Sequence, residues 1–187
     1  LNRDIQLVSP FPRRDCGWLW RLLNEAPAQN LDDTSPTSAA GIKAEVIDRE
    51  THGEMVWQVV QAGQKIGVIG YARINDEWGS FHGISFTKKV HGTGAAIEAV
   101  SMVLRQVFAS GVKKVMAVHF EDNHQVWKFL QKLGARENGI KHNHTPRGGV
   151  KVNVRVATID AVHFRDVQGL RLHRAGVAGP APVGCAP

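Results

Sequence analysis

The chain has 187 residues, 43% hydrophobic and 21% charged, a balance that excludes wholesale disorder and suits one domain with appendages. No apolar run reaches the roughly 20 residues of a membrane span. The two cysteines, Cys16 and Cys185, sit near opposite ends, so neither a disulfide framework nor a bound metal is expected. The net charge of +6 is uneven: residues 1–87 hold 8 Lys/Arg against 11 Asp/Glu, and residues 88–187 hold 15 against 6. The second half either faces an anion, nucleic acid or a phosphorylated cofactor, or is a solvated basic surface, and charge alone does not choose. The opening L-N-R-D-I-Q-L-V-S-P lacks the charged-then-apolar order of a signal peptide, so a reducing, cytoplasmic setting is the expectation.

Asp15 to Glu25 carries Trp18, Leu19, Leu22 and Leu23 at helical spacing, with Asp15 placed as an N-cap. Ala26 to Gly41 is rich in turn formers and reads as a loop with a short helix at most. Glu54–Gln61 and Lys65–Ile74 read as strands joined by a hairpin connection at Ala62-Gly63-Gln64. Trp78–Phe86 reads as a third strand, broken by Gly83, and a glycine inside a strand marks a bulge or a close approach to the backbone. Gly94–Ser110 is a helix with an apolar stripe of Ile97, Val100, Leu104 and Val107, Thr93 at its start and Gly111 at its end. Lys114–Phe120 is a buried-type strand, and Asn123 opens a further helix that stops at Gly134. Val150 to Val156 alternates strictly, as a half-buried antiparallel strand does. The predicted fold is α/β with a mixed sheet, over residues 1–168, followed by a Pro/Gly/Ala-rich tail over 169–187.

Chemistry concentrates in F-T-K-K-V-H-G-T-G-A-A, residues 86–96. A glycine-rich loop entering a helix offers free N–H groups and the positive end of the helix dipole, with Lys88 and Lys89 at the rim. In physical terms it is a pyrophosphate cradle, although a tight strand-to-helix turn would read the same way. It is not a P-loop, since no G-K-[ST] follows, and not a dinucleotide fingerprint, since the third glycine and the downstream acid are missing.

Lys89-Val90-His91-Gly92-Thr93-Gly94 resembles the [Q/R]-x-x-G-x-[G/A] signature of the GNAT superfamily of N-acetyltransferases, with Lys89 in place of Gln or Arg. Asn123 followed by H-Q-V-W-K-F-L-Q-K-L-G-A resembles the family's asparagine and its closing helix. The segment K-H-N-H-T-P-R-G-G-V-K-V-N-V-R-V-A-T-I is similar to the last hairpin of the subgroup acting on ribosomal-protein N-terminal amines. The resemblance implies a mostly antiparallel sheet splayed in a V around acetyl-CoA, with helices on both faces. The pantetheine arm would pair with the backbone at Ser85, Phe86 and Thr87. The pyrophosphate would sit on N–H groups from His91 through Gly92, Thr93, Gly94 and Ala95 to Ala96, with Lys89 and Val90 in the same loop and Asn123 touching the cofactor arm.

The acceptor would be an amine of a protein, peptide or small molecule, a protein N-terminus among them. Many family members use a Tyr in the second helix as acid, and here that position is Leu130, while the Ser/Ala position after Asn123 is Val126. His82 and Ser85, beside the expected bulge, are the remaining candidates for catalysis, with Glu77 and Glu121 behind them. A second reading from another class is a catalytically weakened member serving as an assembly or phage virion component. The uncharged segment 175–187 would then lie extended on a neighbouring subunit, giving a homo-oligomer or larger assembly. A nucleic-acid partner rests on charge alone and ranks last, and His142 and His144 lack a third metal ligand.

Overall fold

The computed structural model describes residues 4–25 and 35–174. The chain opens with strand β1 (Ile5–Val8) and helices α1 (Cys16–Glu25) and α2 (Ala39–Thr51). Strands β2 (Met55–Gln61), β3 (Gln64–Arg73) and β4 (Trp78–Phe86) follow, then helix α3 (Ala95–Ala109), strand β5 (Lys114–Phe120) and helix α4 (His124–Lys132). Strands β6 (Arg136–Arg147) and β7 (Val150–Asp160) and helix α5 (Ala161–Arg174) complete the described residues. The strands form one seven-stranded sheet in the order β1-β2-β3-β4-β5-β7-β6. Every neighbouring pair is antiparallel except β4 and β5, which are parallel. The expected mixed, mostly antiparallel α/β sheet is what forms.

Alternation along β2 and β3 divides the core into two layers. Val56 and Val68 belong to a cluster with Leu19 and Leu22 of α1 and Ile42 and Val46 of α2. Trp57, Val59 and Ile69 belong to the larger cluster with Val100, Val103 and Leu104 of α3, Leu130 of α4 and Phe164 of α5. Helices thus cover both faces. Each of the buried Val100, Val103, Leu104 and Val107 side chains of α3 contributes about 1.5–3 kcal/mol through removal from water, which anchors the helix that follows the glycine loop.

Four expectations are corrected. Asp15 is no helix cap: it ends a short 3-10 turn (Arg13–Asp15), is buried, and turns its carboxylate to Gln58 Nε2 (2.9 Å) and the Lys65 ammonium. Those two hydrogen bonds tie α1 to the β2–β3 hairpin, a long-range use that local spacing does not reveal. Burial alone would raise the Asp15 carboxyl, but the bonds from Lys65 and Gln58 outweigh it and hold the group below its ordinary range.

Ala39 to Gly41, assigned to a loop, form the first turn of α2, because Ser38 Oγ accepts a hydrogen bond from the Gly41 N–H at 3.0 Å. Residues 26–34 of that predicted loop lie outside the described residues. Val150 does not share the buried face of Val154 and Val156 but is exposed, since the far ends of β6 and β7 run past the rest of the sheet. The backbone of residues 169–174 continues α5 across the predicted tail boundary, and the segment 175–187 lies outside the described residues.

Candidate active site

Strands β4 and β5 stay paired only from Trp78 to Ser80 and from Lys114 to Met116. Beyond Met116, β5 continues alongside β7, while Phe81–Phe86 of β4 keeps only β3 as a partner. The sheet therefore splits, and the edge of β4 facing the split offers unpaired backbone donors and acceptors. A cleft of about 1410 Å³ fills the split. Phe81 to Thr87 form one wall, and Ala117 to Phe120 with Asn123 and Val126 form the other. One end opens at Gly92 and Gly94, and the other runs under Leu22 of α1 and Val46 of α2.

Sterics explain the mouth of the cleft. Lys88–Val90 form a 3-10 turn, after which Gly92 (φ 77°) and Gly94 (φ 80°) take left-handed conformations that other residues resist. Thr93 stiffens the loop: its Oγ1 donates to the Val90 carbonyl (2.9 Å) and accepts from the Ala95 N–H (3.2 Å). The N–H groups of His91 and Thr93 are also used inside the loop, on the carbonyls of Lys88 and Val90. That leaves the N–H groups of Gly92, Gly94 and Ala96 without a protein acceptor among the described residues, at the positive end of the 15-residue helix α3. The predicted loop residues do not all face one way. Thr87, Val90, His91, Gly92, Gly94 and Ala96 line the cleft. Lys89 and Thr93 instead line a separate depression beside Trp18 and Lys65, and the Ala95 side chain is fully buried in the core.

Midway along the cleft, β4 carries the expected bulge. Ile69 pairs with Ile84 and Tyr71 with Phe81, so Gly70 alone stands opposite His82 and Gly83. Gly83 has φ 119° in open space, so the backbone conformation, not crowding, requires glycine there. His82 and Ser85 both line the cleft. The His82 carbonyl accepts a 2.6 Å hydrogen bond from Arg49 Nη1 of α2, and its imidazole Nδ1 stands 4.0 Å from Glu54 Oε2. The Phe86 ring packs against Gly67, whose missing Cβ makes room for it.

The other candidates divide. Asn123 caps α4, its Oδ1 accepting from the Val126 N–H at 3.1 Å, and it also borders the cleft. Leu130 is buried, with Val126 beside it, so neither family position supplies a proton donor here. Tyr71 is 2% exposed with its ring over Gly79, and burial pushes its phenol up. Glu77 pairs with Lys113, whose hydrogen bond holds its carboxyl low, and Glu121 accepts from Asn153 Nδ2 at 2.8 Å. Neither glutamate lines the cleft.

His119 was not singled out from the sequence, yet it faces the cleft from β5. Its Nδ1 lies 2.8 Å from the Phe120 carbonyl, its ring stacks on Trp127, and its buried Nε2 has no protein partner. Burial pushes the His119 ring below its ordinary value, against the pull of the Phe120 carbonyl. The signal available in the sequence was a polar residue on the same face as Val115 and Ala117, in a strand that is apolar after Lys114 but for this position.

Comparison with known proteins agrees with this geometry. No curated protein matches the sequence. Among solved structures, the RimJ protein of Mycobacterium smegmatis in complex with CoA-disulfide superposes with a TM-score of 0.77 at 18% identity, over 92% of this chain and 89% of that one. Spermidine N-acetyltransferase from Vibrio cholerae in complex with CoA and spermine gives 0.73 at 16% identity, over 87% and 98%. Ribosomal-protein-alanine N-acetyltransferase from Brucella melitensis gives 0.68 at 13%, over 83% and 98%. Such identities establish a shared fold. A family model, the acetyltransferase (GNAT) domain, matches residues 12–136, which is two thirds of the chain. With the split sheet and the glycine loop in place, that match makes this chain a member of the GNAT acetyltransferase family and, by that membership, an N-acetyltransferase.

Proposed function

We propose that this chain binds acetyl-CoA in the split between β4 and β5 and transfers the acetyl group to an amine that enters beneath α1 and α2. The observation carrying this reading is the alignment along one cleft of three free N–H groups, at Gly92, Gly94 and Ala96, with the unpaired edge of β4. A phosphate suits the first and an extended amide-bearing arm suits the second. Acetyl-CoA supplies a thioester whose acyl carbon exchanges its bond to sulfur for one to the acceptor nitrogen, with a net shift of one proton from nitrogen to sulfur. His82 Nε2 takes the proton that the amine gives up, from a bulge that sets the imidazole in the cleft wall. Ser85, on the same strand, and Asn123, at the head of α4, hold polar groups along the arm. The apolar side chains of Leu22, Ile42 and Val46 keep water from the acceptor end.

Titration calorimetry with acetyl-CoA, followed by an acetyl-transfer assay on peptide N-termini and polyamines, tests the proposal. Binding of acetyl-CoA with turnover on at least one of these amines supports it, and absence of binding removes it. In an active preparation, His82→Ala lowers kcat by roughly 10²–10⁴-fold with little change in acetyl-CoA affinity. Full turnover in that variant removes His82 from the mechanism.

A further inference from the structure

Glu54 immediately precedes β2, and its Oε2 is buried without a hydrogen-bond partner. An orphaned buried carboxylate oxygen is unfavourable unless a donor serves it. Two nitrogens stand near it: Arg49 Nη1 at 3.9 Å and His82 Nδ1 at 4.0 Å. Arg49 donates from Nη1 to the His82 carbonyl at 2.6 Å and pairs Nη2 with Glu45, so it serves Glu54 as an ion-pair partner at 3.9 Å without a hydrogen bond. The imidazole is the neighbour whose donor can be assigned by tautomer. A proton on Nδ1 faces the carboxylate favourably, whereas a lone pair on Nδ1 would repel it.

Arg49 works on the same residue from the backbone side. The bulge places His82 and Gly83 opposite Gly70 alone, and the guanidinium of Arg49 takes up the His82 carbonyl there. The main chain of His82 is thereby fixed by α2 and its ring by Glu54, just before β2. The Glu54 N–H donates to the Arg49 carbonyl at 2.9 Å, so the two partners are also tied to each other.

We infer that Glu54 and Arg49 are positioning residues for His82: Glu54 holds the imidazole proton on Nδ1, and Arg49 holds the bulge, leaving Nε2 as the proton acceptor for the acceptor amine. The kinetic part rests on the reading of His82 as the base given above, and the tautomer part does not.

The test uses the full-length chain labelled with ¹⁵N-histidine, with the His82 resonances identified by their loss in His82→Ala. Two-bond ¹H–¹⁵N spectra above the imidazole titration range report which nitrogen carries the proton. The expected spectrum shows His82 protonated at Nδ1 in the native chain and moved toward Nε2 in Glu54→Leu. Glu54→Gln, which keeps an acceptor oxygen, stays close to native. In turnover, Glu54→Leu lowers kcat by at least about 10-fold, up to the roughly 10²–10⁴ that a general base contributes, and leaves the KM for acetyl-CoA unchanged.

An Nε2-protonated His82 in the native chain overturns the inference, and so does a tautomer indifferent to Glu54→Leu. If Glu54→Leu fails to fold, the native spectrum and the Glu54→Gln variant still decide it. Undiminished turnover in His82→Ala sinks the base assignment while leaving the tautomer result standing, so the two failures are told apart.

Discussion

Substitutions at Gly92 separate strain from charge in the glycine loop. The residue has φ 77°, and a Cβ there would meet nothing within 4 Å, so Gly92→Ala introduces conformational strain alone. For an L-residue in this region the strain is about 1–2 kcal/mol, or roughly 5- to 30-fold if it all appears in binding. Gly92→Glu adds the same strain plus a carboxylate beside the free N–H groups of Gly92 and Gly94. A negative charge about 6 Å from a seated phosphoryl charge, at an effective dielectric of ~20, repels it by about 3 kcal/mol, on the order of a further 100-fold. Gly92→Lys keeps the strain and reverses the sign. Titration calorimetry with acetyl-CoA should therefore rank affinity as native, then Lys and Ala, then Glu, with the Lys-to-Glu ratio about 100-fold or more and shrinking at high salt. Urea unfolding of each variant reports the strain independently of the ligand. Equal affinities for the Lys and Glu variants would refute the assignment of this loop to an anionic ligand, whatever the Ala variant does.

Asp15→Asn should lower stability by roughly 1–3 kcal/mol at pH 7 in urea unfolding, through loss of a buried charged acceptor for Lys65 and Gln58. Because the folded-state carboxyl lies below its ordinary value of 3.8, its contribution is fully present above that value and is lost as pH falls through the lowered one. The gap between native and variant should accordingly close in acid, and a gap independent of pH would contradict the pairing. Ser38→Ala should cost about 1 kcal/mol by removing the cap of α2, measured by the same unfolding, and no change would mean that the bond to Gly41 carries no net stability. Deleting residues 175–187 should leave acetyl-CoA binding intact while lowering the mass of any assembly seen by light scattering. An unchanged assembly would dismiss the tail as a subunit contact.

The elements read most accurately were those whose signal is local. Trp78–Phe86 and Lys114–Phe120 match β4 and β5 residue for residue, because apolar runs bounded by Gly and charged turns leave little choice of ends. The bulge at Gly83 was legible for the same reason, since the residue alone reports an unusual dihedral. Helix α2 was not, because it begins in Ala-Ala-Gly and, among its 13 residues, buries only Ile42 and Val46, so composition resembles a loop and periodicity is thin. Asp15 was misread because capping is a local rule, and its actual partners lie 43 and 50 residues away on the hairpin. The site divides along the same line: the loop and His82 were visible as residue types, but Glu54 and Arg49 acquire meaning only once β2, β3 and β4 are placed in register. His119 stayed hidden inside an apolar strand until the sheet split around it.

The split has a consequence for how this sheet avoids sticking to other sheets. Exposed strand edges template aggregation, and both outer edges here are blunted. Strand β1 is only four residues long. Strand β6 carries Lys141 and Pro146, positive φ at Gly139 and Asn143, and two breaks of register. The inner edge of β4 from Phe81 to Phe86 has no proline and no lysine, and it remains competent to pair. It faces the cleft, where the pairing of β4 with β5 closes one end of the gap. A foreign strand attached to its own sheet cannot enter such a slot, whereas a single slender chain can. Strand addition, a hazard at the outer edges of the sheet, is thereby confined to one wall of a cleft.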